Sequence, residues 1–315
     1  MRRFNLHVVS TAMLLLCAGA FLLPRTPAQT PAGNGVPVRT VITVEARKGN
    51  NPPTINREDV MVFEGHDRDV VTEWQPATGD RAALEFFILI DDSSASSVDL
   101  QFSDIRKFID GQPPSTLIGV AYMQNGIARV VQNLTADHDL ASKALRLPLG
   151  FGGANASPYF SLSDLIKRWP ASNARHEVLM ISDGIDRYYG SNDLQDPYLD
   201  AAITDAHKAG VIVCAIYNPG VGHFGHSYWQ TYWGQLYLAR LAEATGGEGY
   251  YIGMTGAPVT FTPYLSDITQ RLMRQYWLTF LAKPPKKSGM QRVKFSTEVP
   301  NADLVGPEQV YVPAQ

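Results

Sequence analysis

Two stretches of this sequence end an apolar run in oxygen-bearing side chains. Phe86-Phe87-Ile88-Leu89-Ile90 runs into Asp91-Asp92-Ser93-Ser94-Ala95-Ser96, and Glu177-Val178-Leu179-Met180-Ile181 runs into Ser182-Asp183-Gly184. Carboxylates and hydroxyls without thiolate or imidazole are a donor set for a hard cation, Mg2+, Mn2+ or Ca2+ rather than zinc. Taken alone, each stretch reads equally well as a helix cap or an ordinary turn. The cation chemistry needs both carried to one place.

The elements that could carry them follow from the apolar periodicity. From Leu84 onward the pattern predicts strands over 84–90, 117–123, 128–132, 177–182, 211–217 and 249–253. Between them it predicts helices over 102–110, 136–146, 159–169, 197–209, 231–245 and 263–275. Such alternation implies an α/β fold with a doubly wound, mostly parallel six-stranded sheet covered by helices on both faces. The Asn125-Gly126 pair signals a hairpin, so the third strand is expected antiparallel at an edge. Ligands of open α/β sheets bind outside the carboxyl ends of the strands, where strand order reverses. There Asp91 or Asp92 would meet Asp183.

Around this unit, assigned to residues 81–275, the segments 36–80 and 276–315 hold short strand-like runs separated by turn residues. The tail is too short to make a domain alone, and it is expected to pair with the N-terminal strands as one small β module. At the N-terminus, Met1-Arg2-Arg3 precedes an apolar stretch from Val8 to Leu23 and then Pro24-Arg25-Thr26-Pro27-Ala28. This predicts an export signal over 1–28 and a leader over 29–35, with an uncleaved anchor as the alternative. The expected location is therefore the periplasm, the cell envelope or the medium, with no integral membrane span after cleavage. Cys214 would then be the one remaining cysteine, and Val211-Ile212-Val213-Cys214-Ala215-Ile216 reads it as a buried apolar residue. A net charge of -3 over 315 residues supplies no basic field, which argues against a nucleic-acid partner.

At the strand ends the chain resembles a known family, the von Willebrand factor type A domain with its metal-ion-dependent adhesion site. Asp92-Ser93-Ser94-Ala95-Ser96 matches that family's Asp-x-Ser-x-Ser motif, and Ser182-Asp183-Gly184 matches its Thr-Asp-Gly with Ser for Thr. Leu241-Ala242-Glu243-Ala244-Thr245-Gly246-Gly247 is similar to its approach to the final strand. The flanking β segments are similar to bacterial exported proteins of the acidobacterial VWFA-related kind. The resemblance implies a Rossmann-like fold and a cation held by Asp92, Ser94, Ser96, Ser157 and Asp183, one position left for a carboxylate of a partner protein. A register counted from Asp91 and Ser93 stays open, although it puts Ala95 where the last Ser belongs. Ser157 stands in for the family's loop Thr, with Asn155 and Ser161 as alternatives. A fold that has lost its metal is the other outcome.

Competing motifs are weaker. Gly220-Val221-Gly222-His223-Phe224-Gly225 is a literal GxGxxG but does not open a helix directly, and His223 and His226 lack a third metal ligand. Tyr188, Tyr189, Phe224, Tyr228, Trp229, Tyr232 and Trp233 follow the fourth and fifth strands. They suit either an interface or a buried helix face. No nucleophile elbow, P-loop or HExxH motif is present, so the expectation is a binding module and not an enzyme. Its alternative is a metal-independent structural or assembly protein of the envelope.

Overall fold

Strand and helix order follow the apolar pattern closely. The N-terminal strands are β1 (Val36–Ala46), β2 (Val60–Glu64) and β3 (Asp67–Pro76). Then come β4 (Leu84–Asp91), α1 (Phe102–Asp110), β5 (Thr116–Gln124), β6 (Ile127–Thr135), α2 (His138–Lys143), α3 (Pro158–Arg168) and β7 (Arg175–Ser182). They are followed by α4 (Pro197–Ala209), β8 (Val211–Tyr217), α5 (Tyr228–Thr245), β9 (Gly249–Tyr250) and α6 (Thr262–Met273). The tail adds β10 (Gln275–Ala282), β11 (Gly289–Arg292), β12 (Lys294–Thr297), β13 (Ala302–Val305) and β14 (Gln309–Val312). This computed structural model describes residues 35–314 except 95, 151, 152, 154, 191–194, 220–226 and 252–258, and only the backbone of 96 and 97. The expected signal, the GxGxxG stretch, His223 and His226 lie outside the described residues.

Every residue of β4 is buried, as a continuous apolar run requires when helices cover both faces of its sheet. The sheet order is β6-β5-β4-β7-β8-β9. Pairings β4–β5, β4–β7, β7–β8 and β8–β9 are parallel, whereas β5–β6 is antiparallel. The sheet is therefore mixed. Its antiparallel edge comes from the hairpin at Asn125-Gly126, both at positive φ (51° and 78°), as a tight two-residue turn demands. Phe87, Leu89, Met180 and Val213 face Tyr159, Leu199 and Tyr237 of α3, α4 and α5. Phe86, Ile88, Ile90 and Ile181 face Ile105 and Phe108 of α1 and Ile268 of α6. Each such buried side chain contributes roughly 1.5–3 kcal/mol.

Two helices differ from expectation for local reasons. The expected 136–146 helix shortens to α2, whose side-chain cap is Asp137, and its last residues give way to the run before Pro148. In contrast, α5 starts three residues earlier than the periodicity indicates, because Ser227 and Gln230 form a reciprocal capping box.

The second sheet is antiparallel throughout, in the order β12-β2-β3-β10-β1-β13, with β11 and β14 pairing separately. In it β10 lies between β1 and β3, so the tail and the N-terminal strands share one layer. Ile42, Val62, Leu278 and Phe280 form its core. Val41, Ala77 and Trp277 pack on Ile212 of β8 and tie this layer to the α/β unit. Among the described residues no helix is long and apolar enough to cross a membrane.

Candidate functional site at the strand ends

The chain leaves β4 for β5 on one side and returns to β7 on the other, so the strand order reverses between β4 and β7. Asp91 ends β4 and Asp183 follows β7, which puts both carboxylates at the reversal. Asp91 Oδ1 accepts from Ser93 N at 2.9 Å and Ser93 Oγ at 2.6 Å, while Oδ2 accepts from Ser182 Oγ at 2.9 Å. Asp183 is fully buried; its Oδ1 accepts from Ile185 N at 3.0 Å. Burial, and after it the neighbouring Asp183, push the Asp91 carboxyl above its usual range, against the pull of Arg187 and Ser93.

Between these carboxylates comes a cation from the chain itself. Arg187 Nη2 lies 2.5 Å from Asp183 Oδ2, and Nη1 lies 3.5 Å from Oδ1. Arg187 and Asp91 together line a cavity of only about 10 Å3, with Ser157 on its wall. Such a volume holds about one water and not a hydrated ion.

The two Asp residues at the end of β4 face different partners. Asp92 is held bidentately by Arg146, Nη1 to Oδ1 at 2.7 Å and Nη2 to Oδ2 at 3.0 Å. Leu149 N donates to its Oδ1 at 3.0 Å, and the Arg146 guanidinium stacks on the Tyr122 ring at 3.9 Å. The register counted from Asp91 and Ser93, not the one counted from Asp92, is thus the one that faces Asp183. Ser94 is buried with its Oγ making no hydrogen bond, and the Ser96 side chain lies outside the described residues.

Ser157 caps α3 by accepting from Phe160 N, and its hydroxyl donates to Asp186 Oδ2 at 2.7 Å. Asp186 in turn accepts from Tyr188 N and Tyr189 N, both at 2.9 Å, so Ser157 serves the loop after β7. Of its alternatives, Asn155 bonds through its backbone to Asn125 Oδ1, and Ser161 Oγ donates to Ser157 O. Further along the same segment Asp196 caps α4, and Asp200 pairs with Arg240. Buried Cys214, its thiol pushed up to about 12 chiefly by burial, is no nucleophile.

A divalent cation needs two or more acidic oxygens turned to one point. Here Asp92 is turned to Arg146, Ser157 to Asp186, and Asp183 to Arg187. Among the described residues no group of three His, Cys, Asp or Glu could hold a metal. Arg187 was missed in the sequence, although a cation four residues beyond Asp183 in the same loop is a usable signal. Arg146 leaves none, since it lies 54 positions from Asp92.

The aromatics divide sharply. Tyr188 and Tyr189 are about half exposed and meet Tyr198 edge-on, and Tyr188 also meets Phe160. Tyr228, Trp229 and Tyr232 are exposed on the first turn of α5, whereas Trp233 packs on the core. Phe224 lies outside the described residues.

No protein-family model and no curated protein matches the chain. An aerotolerance-related membrane protein of Bacteroides fragilis with multiple mutations to serines is similar at 13% identity, over 60% of this chain and 98% of its own, with a TM-score of 0.43. BatB of Bacteroides thetaiotaomicron is similar at 12% identity, over 60% of this chain and 97% of its own, with a TM-score of 0.44. The SpRpn10 VWA domain is similar at 15% identity, over 51% of this chain and 82% of its own, with a TM-score of 0.33. Likenesses this distant carry no argument about activity or partner. The mixed sheet with helices on both faces, carrying Asp91 and Asp183 at its strand ends, is in keeping with the α/β fold that the sequence resemblance implies.

Proposed function

We propose that the chain is an exported protein-binding module whose recognition surface is the rim of the strand ends, and that it binds without a resident divalent cation. The observation that carries this reading is Arg187 seated on Asp183 beside Asp91, which supplies from inside the chain the positive charge a metal would bring. Exposed Tyr188 and Tyr189 flank it, and tyrosine and arginine are enriched where proteins bind one another. An acidic group of a partner would meet Arg187 directly. Binding, not turnover, is the proposed role.

Calorimetry of the whole chain tests it: the melting temperature should not move with excess Mg2+, Mn2+ or Ca2+. A saturable upward shift would replace this reading with the second one, a cation-dependent adhesion module in which Arg187 gives way to Mg2+. What favours that second reading is the convergence of Asp91, Ser93, Ser182 and Asp183.

A further inference from the structure

A cavity of about 480 Å3 lies at the end of β7 opposite to Asp183, inside the ~300–1,000 Å3 range of small-molecule sites. It opens where the β3–β4 connection meets the C-terminal ends of α1 and α6 and the start of β5. Its walls are mainly apolar: Ala77, Ala82, Leu84, Pro113, Leu272 and, at the rim, Met273, which is 67% exposed.

One charged side chain lines it, Arg175, the first residue of β7 and 5% exposed. Arg175 Nη1 donates to Leu272 O at 3.0 Å and to Gln275 Oε1, and Nη2 donates to Ala82 O at 2.9 Å. Nε donates to nothing. All three acceptors are neutral. Glu177 reaches Arg175 only through Gln275, whose Nε2 donates to Glu177 Oε1. By contrast, Arg187 touches Asp183, and Arg271, buried in α6, touches Glu45 and Glu248. Taking a charge out of water without a counter-ion is unfavourable. Burial accordingly weakens the hold of Arg175 on its proton, against an opposing pull from Glu177.

We propose that this cavity binds a small monocarboxylate with a hydrocarbon body, of the medium-chain fatty-acid class. Its alkyl part would lie against Leu84, Leu272 and Met273, and its carboxylate would take the place beside Arg175 that no side chain fills. A single guanidinium among apolar walls suits one singly charged head; a phosphate would need several more donors. This site is separate from the strand-end rim and stands or falls independently of it.

Titration calorimetry of the whole chain with decanoate and with decanol, both below aggregation, tests the proposal. Decanoate should bind at one site, and decanol about tenfold or more weakly, the worth of a charge-assisted hydrogen bond. Thr269→Trp, from a half-buried wall position of α6, and Ser115→Trp, from an exposed one, should each abolish decanoate binding. Arg175→Gln should remove the preference for decanoate over decanol. Absence of decanoate binding, equal affinity for the two compounds, or binding that survives both Trp variants would overturn the proposal. Should Arg175→Gln fail to fold, the two Trp variants and the decanol comparison still decide it.

Discussion

The two ends of β7 handle buried charge in opposite ways. At the carboxyl end Arg187 matches Asp183, as Arg146 matches Asp92 after the adjacent β4. At the amino end, Arg175 rests on neutral oxygens beside an apolar cavity. A strand thus carries a closed polar cluster at one end and, at the other, a cation whose hydrogen-bond acceptors are all neutral. The first resembles a metal site whose metal has been replaced by a side chain; the second resembles a binding site awaiting its anion.

Removing one partner of a buried pair is the most damaging change either end can suffer. Arg187→Ala should destabilise by ~3–5 kcal/mol, since it leaves Asp91 and Asp183 as like charges out of water. Part of that loss should return with excess Mg2+, to which the wild type should not respond; denaturant melts with and without the ion measure both. Equal melts of variant and wild type would dissolve the contrast between the two ends.

Arg146→Ala should cost less, about 2–4 kcal/mol, because it leaves a single carboxylate that still accepts from Leu149 N. Asp92→Asn in the same chain should recover most of it, and a double-mutant cycle reads the coupling. Additive effects would show that Arg146 and Asp92 are not a pair in solution.

At the other end, Arg175→Met should cost only about 1–2 kcal/mol, because it orphans carbonyls and not a carboxylate. A loss as large as that of Arg187→Ala would mean that Arg175 is fully compensated after all. Glu177 gives the smallest effect and a pH dependence. Burial above all raises its carboxyl from 4.5, with Arg175 and Gln275 pulling it back. An acid whose folded value is raised contributes most below its unfolded value and loses that contribution as pH rises toward the folded one. Wild-type stability should therefore fall relative to Glu177→Gln as pH rises above 4.5; melts at acid and neutral pH compare the two. A constant difference across that range would place the titration elsewhere.

Much of the α/β unit was legible in the residues. Phe86 to Ile90 announces a strand buried on both faces, and Asn125-Gly126 announces the antiparallel edge. The candidate site was half legible. Successive side chains of a strand point to opposite faces, so Asp91 and Asp92 cannot both turn to Asp183. Two adjacent carboxylates look alike in a sequence, and the family motif starting at Asp92 fits better on paper. Asp91 faces Ser182 because β4 and β7 pair with Ile90 opposite Ile181. The cavity beside Arg175 was invisible, since its walls come from segments separated by nearly two hundred positions.

By itself the sequence determined where carboxylates stand at the ends of apolar strands, because local apolar periodicity and turn chemistry act over a few residues. Only the tertiary structure decided which charges meet. Arg146 finds Asp92 across the sheet edge, Arg187 folds back on Asp183, and Arg175 meets only neutral oxygens. Pairing of this kind depends on strand register and on packing between distant segments, and a few ångströms separate a compensated charge from a lone one.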